Sequence, residues 1–310
     1  MYLIKPKFWG KKNSILSLIL IPLSMLLICF VYFKKKLTKI VDYEIPIICV
    51  GNLYLGGTGK TPLSILIGNE LSKKGINPVI VRKFYEKHND EHQILKKYFQ
   101  NNIFIKNRQN GIAEAIQKGF DSVILDDGLQ DYKIKKNFSI ICFNQKQLIG
   151  NGRVIPAGPL RENFSVVKDA DVILINGERD HNFEKKILDY NSKIDIFYSK
   201  YKFKNFKEFK NKKIFAFAGI GNPENFFELI SNHGLNLKKK WAFPDHYEFK
   251  KSEIDKILDE AKNNDYKIVT TEKDYYRLDI NNKKKIKYAK IELEIENKDK
   301  FINKILNIYD

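Results

Sequence analysis

The sequence predicts an α/β protein: a P-loop NTPase-like, mainly parallel sheet with helices on both faces, a second smaller α/β lobe, and an apolar helix at the amino terminus. Three observations carry this expectation. After Val41, short β-branched runs alternate with apolar residues at helical spacing, the pattern of βαβ units. One such run passes through a glycine-rich turn ending in Gly59, Lys60 and Thr61 and enters a helix. A chain of 310 residues with 43% hydrophobic content is also large enough for two cores. The expected division is residues 1–40, 41–205 and 206–310.

The elements follow in order. From Ser14 to Phe33 the chain has no charged residue, and at about 1.5 Å per residue this is about 30 Å of helix, just enough to cross a bilayer core. Lys11 and Lys12 precede it, Lys34 to Lys36 follow it, and Trp9, Tyr32 and Phe33 stand where interfacial aromatics would anchor it. The alternative is a buried hairpin or an interfacial helix, with Pro22 as the kink. Lysines balance on the two sides, so orientation is not fixed by charge.

Strands are expected at 45–50, 78–82, 122–127, 138–143 and 171–176. Leu63, Leu66, Ile67 and Leu71, with Gly75 as stop, predict a helix over 61–74. A polar, Lys-rich stretch at 191–212 breaks the rhythm, and strands resume at 213–220 and 266–274. Between them Phe226, Phe227 and Ile230 mark one helix, and Ile254, Ile257, Leu258 and Ala261 another, with Ser252 placed to cap it.

A net charge of +18 suits nucleic acid, anionic lipid or phosphorylated substrates. No RRM, KH or zinc module is visible, so nucleic acid is not an expected partner. Cys29, Cys49 and Cys142 form no CxxC pair, which argues against a disulfide framework or zinc site.

Chemistry concentrates in five places. In VGNLYLGGTGKTP the glycines let backbone N–H groups close on phosphate oxygens, and the helix start adds positive potential. Tyr54, Leu55, Gly56, Gly57, Thr58, Gly59, Lys60 and Thr61 are therefore the expected nucleotide cradle, with Lys60 on the terminal phosphates and the Thr61 hydroxyl on Mg²⁺. Tyr54 stands where the strict motif has glycine. VILDDGLQ delivers Asp126 and Asp127 at a strand's carboxyl end, where one of them can hold Mg²⁺. In GNGRVIPAGPLRE, Arg153 and Arg161 are available for phosphate, and Arg108 joins them as an expected substrate cation. FPDHYEF carries His246 before a helix, and TTEKD carries Lys273 and Asp274 at a strand end.

VGNLYLGGTGKTP, VILDDGLQDY, GNGRVIPAGPLRE, DVILING, FPDHYEF and VTTEKD, in that order behind an apolar helix, resemble the tetraacyldisaccharide 4'-kinase family of lipid A biosynthesis. The resemblance spans nearly the whole chain. It implies a membrane-associated enzyme that moves the γ-phosphate of ATP, with Mg²⁺, to the 4'-hydroxyl of an acylated glucosamine disaccharide 1-phosphate. It further implies a place on the cytoplasmic face of the inner membrane, anchored here by residues 14–33, and two lobes whose cleft closes on nucleotide.

The family's catalytic carboxylate falls on Asp90 in KHNDEHQ, and its histidine partner on His246 in the second lobe, so that lobe closure would join the pair. A carboxylate oriented by imidazole can take the proton of a sugar hydroxyl as phosphoryl transfer proceeds, while Lys60, Mg²⁺ and Arg161 neutralise charge. The chain departs from the family in writing VRKFYEKHNDE where SRGYG is usual, with Asn89 at the family glycine and Tyr247 at a frequent second histidine. The rival class is a membrane-tethered P-loop switch or assembly ATPase, which shares the P-loop and Asp127 but needs no acceptor machinery.

Overall fold

The computed structural model describes residues 6–86 and 89–309. In chain order its strands are β1 (Ile47–Gly51), β2 (Pro78–Lys83), β3 (Asn102–Ile105), β4 (Ser122–Asp126), β5 (Phe138–Asn144), β6 (Val172–Asn176), β7 (Asp195–Phe203), β8 (Lys213–Ala218), β9 (Asn236–Ala242), β10 (Tyr266–Thr271), β11 (Lys287–Ala289) and β12 (Ile291–Ile295). The helices are α1 (Ile15–Ile19), α2 (Ile21–Leu37), α3 (Lys60–Lys73), α4 (Asn89–Tyr98), α5 (Arg108–Gln117), α6 (His181–Leu188), α7 (Pro223–Asn232), α8 (Lys251–Asn263), α9 (Glu272–Arg277), α10 (Ile280–Lys285) and α11 (Lys298–Leu306).

One sheet has eight strands in the order β12-β7-β6-β5-β1-β4-β2-β3, the other four in the order β11-β10-β8-β9. β1 is buried at every position because parallel neighbours flank it and helices cover it, which is why IICVG reads as an unbroken apolar run. From β1 the strand order runs outward in both directions, so the crevice beyond its carboxyl end is the switch point where open α/β sheets take ligands. The register sets Val50, Asp126 and Arg82 in one row across β1, β4 and β2.

Helix α3 forms as its periodicity predicts, burying Leu63, Ile67 and Leu71 between the left-handed Gly59 (φ 91°) and the left-handed Gly75 (φ 84°). α5 packs Ile112 and Ala115 with Val79, Val81, Val123 and Leu125. α6 packs Phe183 and Ile187 with Ile141, Phe143, Ile173 and Ile175. Around the smaller sheet, α7 buries Phe226, Phe227 and Ile230, and α8 buries Ile254, Ile257 and Ala261. The helix cap expected at Ser252 lies two residues earlier, where the Glu253 carboxylate accepts from the Lys250 backbone N–H at 2.9 Å.

The chain forms two compact units, but not by a single cut near 205. Of the described residues, 6–84, 98–200 and 294–309 make one unit and 85–97 with 201–293 the other. Residues 6–40 belong to the first unit and are no separate domain. The interruption expected at 191–212 contains β7, whose pairing with β6 runs from Val172↔Asp195 to Asn176↔Ser199. Its lysines gave it the look of a loop, yet Lys200 is exposed while Phe197, Tyr198 and Ser199 are buried. β9 (NLKKKWA) escaped notice for the same reason, its burial alternating along the strand at the sheet edge.

The apolar amino-terminal run also differs from a single crossing helix. α1 and α2 meet at Leu20, Pro22 sits in the first turn of α2, and no helix among the described residues is long and apolar enough to cross a membrane. Ser17 and Ser24, two turns apart, face inward. Ser17 donates to the Ala157 carbonyl at 2.5 Å, and Ser24 donates to the Val154 carbonyl at 2.8 Å while accepting the Ala157 N–H at 3.0 Å. Leu27 and Ile28 pack on the core beneath, whereas Ile15, Ile19, Leu26 and Phe30 are exposed.

Gly51 ends β1 where a Cβ would lie 2.5 Å from the Leu129 Cβ. Gly51→Ala is expected to lower stability by about 1–3 kcal/mol through overpacking, read from urea unfolding. An unchanged midpoint would contradict the close approach.

Candidate active site

The turn after β1 is held from outside by side chains and by the 150–162 loop. Asn52 donates from its amide to the Tyr54 carbonyl at 2.8 Å and to the Gly56 carbonyl at 3.0 Å. Leu55 donates its N–H to the Pro159 carbonyl at 2.9 Å, and Arg161 donates its own to the Leu53 carbonyl at 2.7 Å. Tyr54 bridges Leu160 and buries its ring in the core, which explains a large residue where the strict motif has glycine. Gly56 (φ 133°) and Gly59 (φ 91°) take backbone conformations that side chains resist. Gly57 has open space beside it, and the Thr58 hydroxyl is buried without a hydrogen-bond partner among the described residues. Such a turn at the start of α3 presents N–H groups to an anion.

The two adjacent aspartates separate into different surroundings. Asp126 is fully buried and paired with the guanidinium of Arg82; Thr61 donates its hydroxyl to Asp126 Oδ2 at 3.0 Å and Ser64 donates to Oδ1 at 3.4 Å. Arg82 also donates to the Thr61 hydroxyl at 2.8 Å. Asp127, at φ 60°, turns the other way: its Oδ1 lies 3.5 Å from Lys60 Nζ and accepts from Arg161 at 2.9 Å. Burial opposes ionisation of Asp127, but Lys60 and Arg161 outweigh it and hold the carboxyl well below the usual carboxylate range. Burial pushes the Lys60 ammonium down and Asp127 works against that push.

Around this core the cations are committed. Arg108 donates to the carbonyls of Asp126 and Asp127, both at 2.9 Å, and pairs with Asp131, so it braces the end of β4. Arg161 also donates to Gln130 Oε1 at 3.2 Å, Gln130 donates to Glu162 at 3.0 Å, and Lys35 at the end of α2 reaches Glu162 at 2.6 Å. Arg153 does not join the cluster. It donates to Ser17 at 2.7 Å and belongs to the docking of α1.

A second constellation lies in the unit of 85–97 and 201–293. α4 starts at Asn89 and carries Asp90 in its first turn, almost fully buried. His246 occupies a left-handed position (φ 57°) after β9, donates its N–H to the Gly219 carbonyl at 3.2 Å, and sets Nδ1 3.6 Å from Asp90 Oδ2. The expectation that lobe closure unites the pair is corrected: both residues belong to one compact unit and are already together. Arg277 grips Asp90 Oδ2 with Nε at 3.1 Å and with Nη2, and Lys273 pairs with Glu91 at 2.5 Å. Burial works against the Asp90 carboxylate, yet His246, Lys273 and Arg277 hold its pKa well below the usual range.

Lys60, Thr61, Asp126, Asp127, Arg108 and Arg161 thus converge in one unit, and Asp90 and His246 in the other. The sequence reading missed Arg82, Asn52, Gln130, Glu162 and Arg277. Arg82 was visible in principle, since it lies next to the end of the second strand in VRK. Arg277 follows Asp274 by three residues, one turn along α9.

Tetraacyldisaccharide-1-P 4'-kinase is the family that matches this chain, over residues 16–103 and 89–310. A tetraacyldisaccharide 4'-kinase of Pelagibacter ubique is 40% identical over 99% of both chains, and one of Rickettsia felis is 33% identical over 98% of this chain and 97% of its own. The crystal structure of LpxK from Aquifex aeolicus in complex with ATP superposes with a TM-score of 0.73 at 24% identity, covering 96% of this chain and all of that one. At that identity it speaks for the fold.

The Arg82–Asp126 pair gives a direct expectation. Arg82→Ala leaves a buried carboxylate uncompensated and is expected to cost about 3–5 kcal/mol in urea unfolding. Adding Asp126→Asn should recover part of the loss; a double mutant as unstable as the sum of the singles would show that the two charges do not depend on each other.

Proposed function

The chain belongs to the tetraacyldisaccharide 4'-kinase family, and from that premise we propose that it transfers the γ-phosphate of ATP from the Lys60 turn to the 4'-hydroxyl of tetraacylated glucosamine disaccharide 1-phosphate. The observation that carries this is Lys60 at the start of α3, 3.5 Å from Asp127 and beside a Thr61 already hydrogen-bonded to Asp126. A P-loop switch would have the same cradle. A buried carboxylate with an imidazole beside it is what a hydroxyl acceptor requires, and this favours the kinase over the switch.

The unpartnered Thr58 hydroxyl, the open side of Gly57 and the left-handed glycines suit phosphate oxygens. The turn's N–H groups bind the triphosphate, Lys60 and Arg161 face the charge that develops on the transferred group, and Asp127 keeps both cations in place. Thr61, hydrogen-bonded to Asp126, and Asp126 or Asp127 are the residues that would hold Mg²⁺. When bound, the ion neutralises phosphate charge. Asp90 accepts the acceptor hydroxyl's proton and His246 orients and supports that carboxylate. A weak base suffices, because the transition state is loose and the proton leaves late.

The same reading extends to the membrane. α1 and α2 turn serines inward and leave Ile15, Ile19, Leu26, Phe30 and Leu37 more than half exposed, with exposed Lys11, Lys12, Lys34, Lys36 and Lys39 around them. This is the surface of a helix pair that lies in a lipid interface with cations at headgroup level. The face is the cytoplasmic one of the inner membrane, where ATP is.

Lys60→Ala should reduce transfer from labelled ATP to lipid disaccharide in detergent by about 10³-fold or more; turnover near wild type would refute the assignment. Ile19→Ser, Leu26→Ser and Phe30→Ser together should release the protein from anionic vesicles in flotation assays while ATP binding persists. Retention of full vesicle binding would move the lipid surface elsewhere.

A further inference from the structure

Arg277 is the cation most closely joined to Asp90. Its guanidinium is nearly buried and makes contacts in three directions. Nε and Nη2 reach Asp90 Oδ2. Nη1 donates to Asp274 Oδ1 at 2.9 Å and to the Gly219 carbonyl at 2.8 Å. Nη2 also stands 3.5 Å from His246 Nδ1. Asp274 is fully buried and fixed in turn, its Oδ2 accepting from the Gly219 N–H at 3.0 Å and from the Thr271 hydroxyl at 2.5 Å. Gly219 permits this crowding, since a Cβ there would meet Asp274 Oδ1 at 3.1 Å.

Every contact that Arg277 and His246 make to Asp90 falls on Oδ2. Asp90 Oδ1 is buried and has no hydrogen-bond partner among the described residues. A buried carboxylate oxygen without a donor is costly and is retained where a donor arrives during function. The planar fork of an arginine, held by its own carboxylate, fixes the plane of Asp90 as a single ammonium would not.

We propose that Arg277 is a positioning residue for the acceptor base: anchored by Asp274 and Gly219, it occupies Asp90 Oδ2 at two points and thereby presents Oδ1 to the acceptor hydroxyl. The proposal rests on the reading of Asp90 as the base. The Arg277 charge, with Lys273 and the hydrogen bond to His246, also keeps Asp90 ionised against the opposing effect of its burial. Losing Arg277 therefore raises the Asp90 pKa.

The decisive experiment measures kcat, both KM values and the kcat–pH profile of the full-length protein in mixed micelles, for wild type and for Arg277→Lys, Arg277→Ala, Asp90→Asn, Asp90→Asn/Arg277→Lys and Lys97→Ala. Arg277→Ala should lower kcat by about 100-fold with KM for ATP nearly unchanged, and move the acidic limb of the profile to higher pH. Arg277→Lys keeps the charge but loses the two-point grip, so kcat should fall about tenfold while the limb stays in place. In the Asp90→Asn background Arg277→Lys should have no further effect. Lys97→Ala is the structural control: Lys97 ties the far end of α4 to Glu272 at 2.6 Å, and its loss should leave the limb where it is.

Wild-type kcat or an unmoved limb in a folded Arg277→Ala protein overturns the proposal. So does a full additional loss from Arg277→Lys in the Asp90→Asn background. If Arg277→Ala does not fold, Arg277→Lys decides, and wild-type kcat there overturns the proposal equally. Wild-type turnover in Asp90→Asn would instead defeat the reading of Asp90 as the base.

Discussion

A fully buried carboxylate has to be paired, and the pairing of Asp126 with Arg82 organises the start of α3 and the turn before it. The register of three parallel strands makes it possible, since β2, β4 and β1 put Arg82, Asp126 and Val50 side by side. The pair then reaches out of the sheet. Thr61 and Ser64 on the first turns of α3 bond to the same aspartate, so one buried charge fixes where the helix begins relative to the strand ends. With the helix start fixed, Lys60 and the glycine turn have a defined place. Break the pair and the loss is felt in stability and in the geometry of the cradle together.

The next residue shows how backbone conformation divides labour between neighbours. Asp126 is in β4 and points into the protein, while Asp127 is left-handed and turns toward Lys60 and Arg161. Two adjacent carboxylates in one environment would repel and share a proton. Placed apart, each is matched by its own cations. Arg161 in turn leans on Gln130, Gln130 on Glu162, and Glu162 on Lys35, so a hydrogen-bonded path leads from the cradle to the end of α2.

The sequence made the frame legible wherever burial was two-sided. β1, β2, β4, β5 and β6 are near-continuous apolar runs, and α3 carries its period and its glycine stop in plain view. One-sided strands were harder. In β7 and β9 the exposed face is written in lysine, and solvated alternation beside a loop reads as loop. The glycine turn, Asp126, Asp127, Asp90 and His246 could be named as candidates because their motifs are local. Arg82 and Arg277 were not, because their roles come from register and from packing of distant segments: 44 positions separate Arg82 from Asp126 and 187 separate Arg277 from Asp90. The interleaving has the same origin. A segment inserted between β2 and β3 belongs to the unit formed by 201–293, and no composition shift marks it.

The amino-terminal run shows why hydropathy alone misjudges such a segment. Twenty uncharged residues pass for a span, but Ser17 and Ser24 sit on one stripe and bond to the carbonyls of Ala157 and Val154 in the 150–158 loop. The helix pair is therefore amphipathic in an inverted sense, with its polar face turned to protein and its apolar face turned out. That arrangement suits a substrate with four acyl chains, each CH₂ of which favours the bilayer by about 0.8 kcal/mol. The 150–162 loop serves both ends of this task. Through Val154 and Ala157 it seats the helices, and through Pro159, Leu160 and Arg161 it braces the turn that precedes Lys60. A displacement of α1 and α2 would thus reach the glycine turn through this loop, and the exposed apolar face of the helix pair and the turn before α3 belong to one unit.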